Sequence, residues 1–482
     1  MRYLLISILS ILFFTACEDK GFGTEDVSYV PVITSGDSVK ILSSTPKDIV
    51  AKKAYISIEF SSYMNLYSLN ISNISLFKED GSSVAIEVES IRNFLYIKPL
   101  SSLVDTKNYT LVIKKSIEDI MGNQLDRDYS HTFTCKADFW ESVEAGSTHS
   151  MAMSKEGDIF IWGSNLHNQI IDVKEDYVEL NSSVLSRSIP LGIIGLNGAK
   201  SYSAGGSFSS VVKSDTSLFT NGEYSLLNLK ESNLSMISAG DNHVSYVKLD
   251  GTLWSWGENS NGQLGNLGIF AKLYPVQEYS RDNNWSVVSA GENFSIALKN
   301  DGTLWGWGDN SYGQIGDDLS KERRFPFQEV TAVTDWSSVS AGGKHSVMLK
   351  KDGTLWSFGD NTDGQLGDGT NIENSIAVQE QKGFLWRVAT AGYNHSCAIK
   401  KDNTLWCWGS NRYGQLGINS TENQNIAVQV GSETTWKTVS AGNQFTLATK
   451  SDGTLWTWGY NAYYQLGLDK DATDKLVPVE VK

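Results

Sequence analysis

Four histidines, His149, His243, His345 and His395, recur at one position of a repeated pattern, and a ring of imidazoles is a chemistry that could hold a transition metal. The other repeats put Phe208, Phe294 and Phe445 there. Phenylalanine cannot ligate a metal, so the shared requirement is a flat ring packed beside the Ala-Gly pair that precedes it, and no metal site is expected. Loops such as Asp309-Asn310-Ser311-Tyr312-Gly313-Gln314 have the carboxylate and amide spacing with which a calcium loop opens, but they lack the later bidentate Glu. Turn hydrogen bonding by Asn is the expected role. Lysine recurs ahead of a hairpin turn, at Lys213, Lys248, Lys299, Lys350, Lys400 and Lys450, with Asp two residues on each time. The acid that travels with each lysine points to solvated hairpin ends before an anion-binding rim. Cys397 and Cys407 flank the turn at Asp402-Asn403; if Lys400 and Thr404 pair across it, the two cysteines fall opposite each other and a disulfide is within reach, two separate buried thiols being the alternative. Cys135 is left over, as a buried thiol near a domain junction. The sequence has no Ser-His-Asp order, P-loop, dinucleotide fingerprint, His-Glu-x-x-His or Cys-x-x-Cys motif, and no carboxylate pair stands apart from the repeats. No catalytic residue and no cofactor is therefore assigned, and the chain is not read as an enzyme.

The elements that position these residues are themselves repeated. All 15 tryptophans lie between Trp140 and Trp458, and the Ala-Gly pair recurs at Gly146, Gly205, Gly240, Gly291, Gly342, Gly392 and Gly442, in steps of 59, 35, 51, 51, 50 and 50 residues. A second landmark, Gly163, Gly222, Gly257, Gly308, Gly359, Gly409 and Gly459, keeps the same steps. Length variation therefore lies between the units. Within a unit, Trp285 to Ala290 reads as a strand, Phe294 to Lys299 as a second, Asp301-Gly302 as a tight turn and Leu304 to Gly308 as a third, with the apolar stretch before the next Trp as a fourth. Four strands per repeat of about 50 residues make a propeller blade. Entry at Trp140 without a fourth-type strand, and exit through Val477 to Val481, suggests that the last strand pairs into the first blade and closes the ring.

These repeats resemble the regulator of chromosome condensation repeat family, whose members are seven-bladed β-propellers. The pattern Trp-x-x-Val-x-Ala-Gly-x-x-His-x-x-Ala-Leu, Asp-Gly-x-Leu-Trp-x-Trp-Gly, Asn-x-x-Gly-Gln-Leu-Gly stands nearly whole in repeats three to seven. Repeat two has Asn221-Gly222 for Trp-Gly and no Gly-Gln-Leu-Gly loop, and repeat one is read with the insertion Ser164 to Ser188 in its place. Between Val39 and Cys135, short alternating segments such as Ile56 to Phe60, Val84 to Val88 and Tyr109 to Ile113 argue for a β-sandwich. With the turn Asp119 to Asn123 they resemble the Ig-like module of bacterial surface proteins, expected here as a spacer that separates from the repeats near Cys135 to Asp138. The fold class is thus all-β, a seven-bladed β-propeller with an N-terminal Ig-like β-sandwich.

At the N-terminus, Arg2 and the apolar run Tyr3 to Phe14 suit a signal peptide rather than a mature membrane helix. Thr15-Ala16-Cys17 resembles a bacterial lipobox, with Phe14 departing from the usual aliphatic residue, and this resemblance implies cleavage and acylation at Cys17. The domains expected are a lipoprotein signal peptide over 1–16, a linker over 17–37, the sandwich over 38–136 and the propeller over 137–482. A formal charge of −15 argues against nucleic acid as a partner. The reading that combines these features is a monomeric, lipid-anchored protein of the bacterial cell envelope, whose propeller binds an unknown protein or envelope macromolecule without catalysis. Guanine nucleotide exchange, the activity of the family's nuclear founder, and glycan binding are the alternatives; an exported chain would meet no cytoplasmic GTPase. The face shared by the Ala-Gly turns and the Gly-Gln loops gathers Tyr312, Tyr393, Arg412, Tyr413, Tyr460 and Tyr463, residue types enriched at interface hot spots, and is the candidate binding surface.

Overall fold

Alternating apolar residues and closely spaced turns give strands only: the computed structural model contains 36 of them and no helix among its described residues. It describes residues 38–482 except 46–48, 51–55, 92, 102, 105, 136–138, 171–185, 194–195, 197, 223–230, 318–321, 329–332, 381–382 and 482. The signal segment, the lipobox with Cys17 and the linker lie outside the described residues.

The first domain is a two-sheet sandwich. One sheet has the order Ile41–Thr45, Ile56–Phe60, Phe94–Pro99, Ile86–Ile91; the other runs Ile49–Val50, Tyr129–Cys135, Asn108–Ile113, Ile74–Lys78, Ser83–Val84. Ile56, Ile58, Phe60, Leu76, Leu95, Ile97, Leu111, Ile113 and Phe133 fill the space between them. In the turn after the core residue Ile117, Asp119 accepts the N–H groups of Met121 and Asn123.

Seven sheets follow, one per repeat, around a central axis. Blade four is representative: Trp285–Ala290, Phe294–Lys299, Leu304–Gly308 and Arg323–Gln328 pair antiparallel in chain order from the axis outward. The hairpin turns at Gly302, where φ is +82° and a Cβ would lie 2.3 Å from the Thr334 carbonyl, so glycine is required on both counts. Blade two shows three strands, Ser201–Ala204, Phe208–Val212 and Leu218–Gly222.

Two corrections to the sequence reading follow from strand pairing. The C-terminal strand Lys475–Val481 pairs with Leu455–Gly459 and is blade seven's own outer strand; it does not cross into blade one. Blade one has its own, Ser186–Gly192, which begins at the end of the stretch read as an insertion and runs past it. Nor is the repeat loop missing there. Ile170 N–H bonds Asn165 Oδ1 and His167 N–H bonds Gln169 Oε1, the bonds that Leu416 with Asn411, and Tyr413 with Gln415, make in blade six. The motif was hidden because Asn168-Gln169-Ile170 stands for Gly-Gln-Leu, with Asn168 at φ 59° where blades three to six use glycine and blade seven uses Tyr464 at φ 60°.

Without strand exchange, the ring closes by repetition of one joint. The residue after each Ala-Gly donates its N–H to the glycine carbonyl of the next blade, from Ser147 to Gly205 round to Asn443, which donates to Gly146 at 3.2 Å. Each Ala-Gly glycine sits so close to its neighbour that a Cβ would fall 2.2–2.6 Å from that carbonyl oxygen. Further out, Trp162, Trp307, Trp408 and Trp458 donate Nε1–H to a Gln carbonyl of the preceding blade, at 2.8–2.9 Å. Each of these rings is fully buried, worth about 5 kcal/mol in apolar area. Trp162 reaches Gln465 of blade seven, so the closing joint is like the rest.

The Ig-like domain is not a free-standing spacer. Ser57, Tyr96 and Lys98 lie on the register opposite to the sandwich core, where alternation predicts solvent, yet all three are buried against blade one and the loop after blade seven's third strand. Ser57 Oγ donates to the Gly192 carbonyl at 3.0 Å, and Lys98 bonds Asp469 at 2.5 Å. Arg187, 2% exposed, pairs with Glu89 and lies 5.1 Å over the Tyr96 ring.

Candidate binding surface

The Ala-Gly turns converge on the axis as a polar mouth of about 130 Å³, lined by Glu144, Ser147, Asp241, Glu292, Tyr393 and Asn443 among others. In six repeats the residue before Ala-Gly is Ser or Thr. Its hydroxyl accepts the Ala N–H of the following blade, as Ser238 does from Ala290 and Ser440 from Ala145. Glu144 stands at this position in blade one, and burial pushes its carboxyl up to about 7. Asp241 and Glu292 occupy the position after Ala-Gly. Burial raises Asp241, opposed by the hydrogen bond from Ser147 Oγ at 2.8 Å; burial also raises Glu292, opposed by its bond from Tyr393. Three carboxyls held toward neutrality make a mouth that a cationic side chain would recharge. The repeat comparison could have singled out Glu144, which alone breaks the Ser/Thr pattern before Ala-Gly, but not Asp241 and Glu292, whose position varies from repeat to repeat.

The six residues expected on this face separate into two groups. Tyr393 lines the mouth and Tyr312 stands near it: the Lys344 ammonium lies 4.8 Å from the Tyr312 ring, and burial, then the Glu292 charge, raise the Tyr393 hydroxyl above its ordinary range. Gly343 makes room for the Tyr393 ring, whose Cγ would lie 3.0 Å from a Cβ there. Arg412, Tyr413, Tyr460 and Tyr463 form a separate aromatic patch across blades six and seven. The Tyr413 and Tyr460 centroids are 4.8 Å apart, those of Tyr460 and Tyr463 6.1 Å, and Arg412 lies 5.6 Å over Tyr413. Tyr463 is 38% exposed.

The other chemistry-bearing residues hold the ring together. His149, His243, His345 and His395 each place Nε2 2.8–3.0 Å from a hydroxyl of the next blade, on Ser209, Ser295, Ser396 and Thr446. Burial pushes all four down to about 3, so they are neutral at ordinary pH. Among the described residues no group of three or more metal-ligating side chains comes together.

Two of the hairpin lysines, Lys299 and Lys450, are buried and not solvated, which corrects the sequence reading for these two. Lys299 lies 3.8 Å from the Trp305 ring and 4.8 Å from Trp285, and Lys450 lies 3.5 Å from Trp456 and 4.8 Å from Trp436. Their ion pairs are with acids of the preceding segment, Asp282 and Glu433, and not with the Asp two residues on. That Asp caps the turn instead: Asp301 accepts from Thr303 N–H and Oγ1–H, and Thr303 Oγ1 accepts from Trp305 Nε1. Lys400 is the exception, pairing with Asp402. Cys397 and Cys407 face each other in register and are joined as a disulfide, while Cys135 is buried in the sandwich core.

Comparison with known proteins matches residues 223–482 to the family described as RCC1-like domain, residues 140–169 to the regulator of chromosome condensation (RCC1) repeat, and residues 36–135 to the bacterial Ig-like domain. The ultraviolet-B receptor UVR8 of Arabidopsis thaliana is 28% identical over 259 residues, 49% of this chain and 56% of the receptor. Human E3 ubiquitin-protein ligase HERC2 is 28% identical over 277 residues, 52% of this chain but 5% of the ligase. The chain thus spans about half the length of the first relative and a small part of the second. Among solved structures, Prp20p from Saccharomyces cerevisiae superposes with a TM-score of 0.54 at 19% identity, covering 64% of this chain and 82% of Prp20p. Human WBSCR16 gives 0.50 at 18%, covering 75% and 86%. Both show the same fold.

Proposed function

This chain belongs to the RCC1-like domain family, and we propose that it is a non-catalytic scaffold that binds a protein partner through the Ala-Gly face of its ring. The observation that carries this reading is the patch of Arg412, Tyr413, Tyr460 and Tyr463, four side chains of hot-spot type held on turns that the blade joints make rigid. The carboxyl-lined mouth beside Tyr312 and Tyr393 suits a Lys or Arg of that partner. A protein partner accords with the related yeast propeller, which is described with binding properties to Gsp1p and histones. Ligase activity is not carried over from HERC2, of which this chain matches 5%.

We further propose that the mature chain is anchored in the bacterial cell envelope by acylation of Cys17, with the membrane touched through that lipid alone. The support is the sequence Thr15-Ala16-Cys17 after an apolar run.

The test is capture of envelope proteins on the full chain and on Tyr413→Ala with Tyr460→Ala. A bound protein lost from the double variant, whose melting temperature stays within a degree or two of the parent, is the expected result. Retention of the same proteins by the variant, or binding to a glycan array in place of protein, overturns the assignment of this face. Metabolic labelling with a palmitate analogue, expected to vanish in Cys17→Ala, tests the anchor separately.

A further inference from the structure

The aromatic patch of blades six and seven has a shape that selects among the segments able to fill it. Its rings are tilted, Tyr413 to Tyr460 by 59° and Tyr460 to Tyr463 by 72°, at centroid distances of 4.8 and 6.1 Å, so the ring faces diverge on either side of Tyr460. The outer two rings can be no further apart than those distances together, which is close to the rise of about 9 Å in one turn of a polyproline II helix. Beside Tyr413, Gly414 lies on Leu476, where a Cβ would meet Cδ2 at 2.5 Å, and Leu476 stays 37% exposed as an apolar flank. Both loops are pinned by an asparagine, whose Oδ1 accepts the N–H of Leu416 from Asn411 and of Leu466 from Asn461 in the two blades.

The polar groups of the patch can all donate and lack acceptors. Arg412 is exposed, its guanidinium rests 5.6 Å over the Tyr413 ring, and among the described residues it has no acidic partner. None of the Tyr413, Tyr460 and Tyr463 hydroxyls is hydrogen-bonded among the described residues. The loop backbone is spent on its own turns. Gly414 N–H bonds the Asn411 carbonyl, Gly417 N–H the Gly414 carbonyl and Tyr413 N–H the Gln415 Oε1, and Tyr464, Gly467 and Tyr463 make the same three bonds in blade seven. A strand therefore finds no ladder here, and a helix, whose carbonyls are bonded within itself, brings no acceptors. A polyproline II segment brings what the patch lacks. Its carbonyls make no internal hydrogen bonds, and its prolines add flat rings with no N–H and no side-chain entropy to lose.

On the reading of the Ala-Gly face as the binding surface, on which this rests, we propose that the patch holds a proline-rich segment of the partner in the polyproline II conformation. Prolines one turn apart lie against Tyr413 and Tyr463, and an Asp or Glu beside them pairs with Arg412. Carbonyls of the segment accept from the tyrosine hydroxyls, and the carboxylate complements the charge that the patch leaves open. A sugar fits less well, because its hydroxyl protons would face a guanidinium that cannot accept them.

The probe is a fluorescent oligoproline of about ten residues, roughly three turns, that ends in Glu-Glu and is titrated onto the full chain. Saturable binding is expected, weakened about tenfold or more by Tyr413→Ala with Tyr460→Ala, which removes two side chains of hot-spot type. Arg412→Gln should weaken it about threefold, the effect of one exposed ion pair, and that variant should no longer distinguish the peptide from one ending in Gln-Gln. A peptide with Gly in place of alternate prolines should bind about fivefold more weakly, because it must be ordered on binding. The proposal is overturned by absence of saturable binding at millimolar peptide, by equal binding of the Gly-substituted peptide, or by binding that survives the tyrosine changes. It is also overturned if a chito-oligosaccharide saturates the tyrosines and the oligoproline does not, which would make a glycan the occupant. Envelope proteins captured through Tyr413 and Tyr460 by a chain that does not bind the oligoproline remove this proposal alone and leave the scaffold reading standing.

Discussion

The joints between blades and the joint between the Ig-like domain and the ring are built from opposite materials. A blade joint uses neutral groups, a backbone belt round the axis, an indole on a carbonyl and an imidazole on a hydroxyl, and it recurs with small changes around the circle. The domain joint uses ion pairs whose cations are buried, Lys98 with Asp469 and Arg187 with Glu89, and it occurs once. Repetition explains the difference. A geometry used seven times must tolerate substitution, and does so where Phe replaces His, whereas a single contact can rest on one pair of charges whose removal strands a buried partner.

Acid should separate the two joints most strongly. A histidine held near 3 in the folded ring but titrating near 6.5 in the unfolded chain contributes its full stability above pH 6.5 and loses it as pH falls toward 3. At pH 5 the loss is about 2 kcal/mol per histidine, so about 8 kcal/mol for four. Glu144 acts with the opposite sign, since a folded value raised to about 7 gains stability as pH falls from 7 toward 4.5, and offsets part of the loss. His345→Phe, which copies blades two, four and seven, should flatten the slope of stability against pH between 6.5 and 5 by about a quarter. Denaturant unfolding at several pH values measures it, and an unchanged slope would show that these histidines are not the acid-sensitive element.

Next in size is the domain joint. Arg187→Ala leaves Glu89 and the Tyr96 ring without their partner and should cost about 3 kcal/mol, with faster proteolysis around residues 136–138. Arg187→Met, which keeps the stem and removes the charge, should cost less. If neither variant changes melting or cleavage, the two domains are coupled by something other than this ion pair.

How far the sequence disclosed these joints depended on periodicity. Seven units and four strands per unit were legible because Ala-Gly and Trp-Gly keep a fixed spacing, and the sandwich was legible from its period of two. Ring closure was misread because Asn168-Gln169-Ile170 hides a Gly-Gln-Leu loop and Ser186–Gly192 follows a long, unmatched stretch, so the last strand looked surplus. Lys299 and Lys450 were misread because a Lys-x-Asp pattern cannot show that indoles from two strands close over the ammonium. Burial of Lys98 was invisible for a related reason, since a face that alternation assigns to water can be covered by a second domain. One signal was available there: Phe94-Leu95-Tyr96-Ile97 is apolar on both registers.

The smallest effect expected lies inside one blade, where neither joint is involved. Cys397 and Cys407 face each other across the middle of a hairpin in blade six, and blade three fills the same two positions with Ser245 and Ser255, whose hydroxyls hydrogen-bond at 2.9 Å. Replacing both cysteines by serine therefore substitutes a pair the fold already uses, and the loss reduces to the loop-closure entropy of a cross-link with a sequence separation of 10, roughly 2 to 3 kcal/mol in the chain-entropy model. The hairpin is also held by its ladder, so the lower figure is the better guide. Because the disulfide touches neither the imidazole joints nor the domain contact, the double variant should melt lower while keeping the parent's slope against pH and its rate of cleavage near 136–138. A change in that slope or in that rate would mean that blade six transmits strain to its neighbours and that the joints are less independent than their chemistry implies.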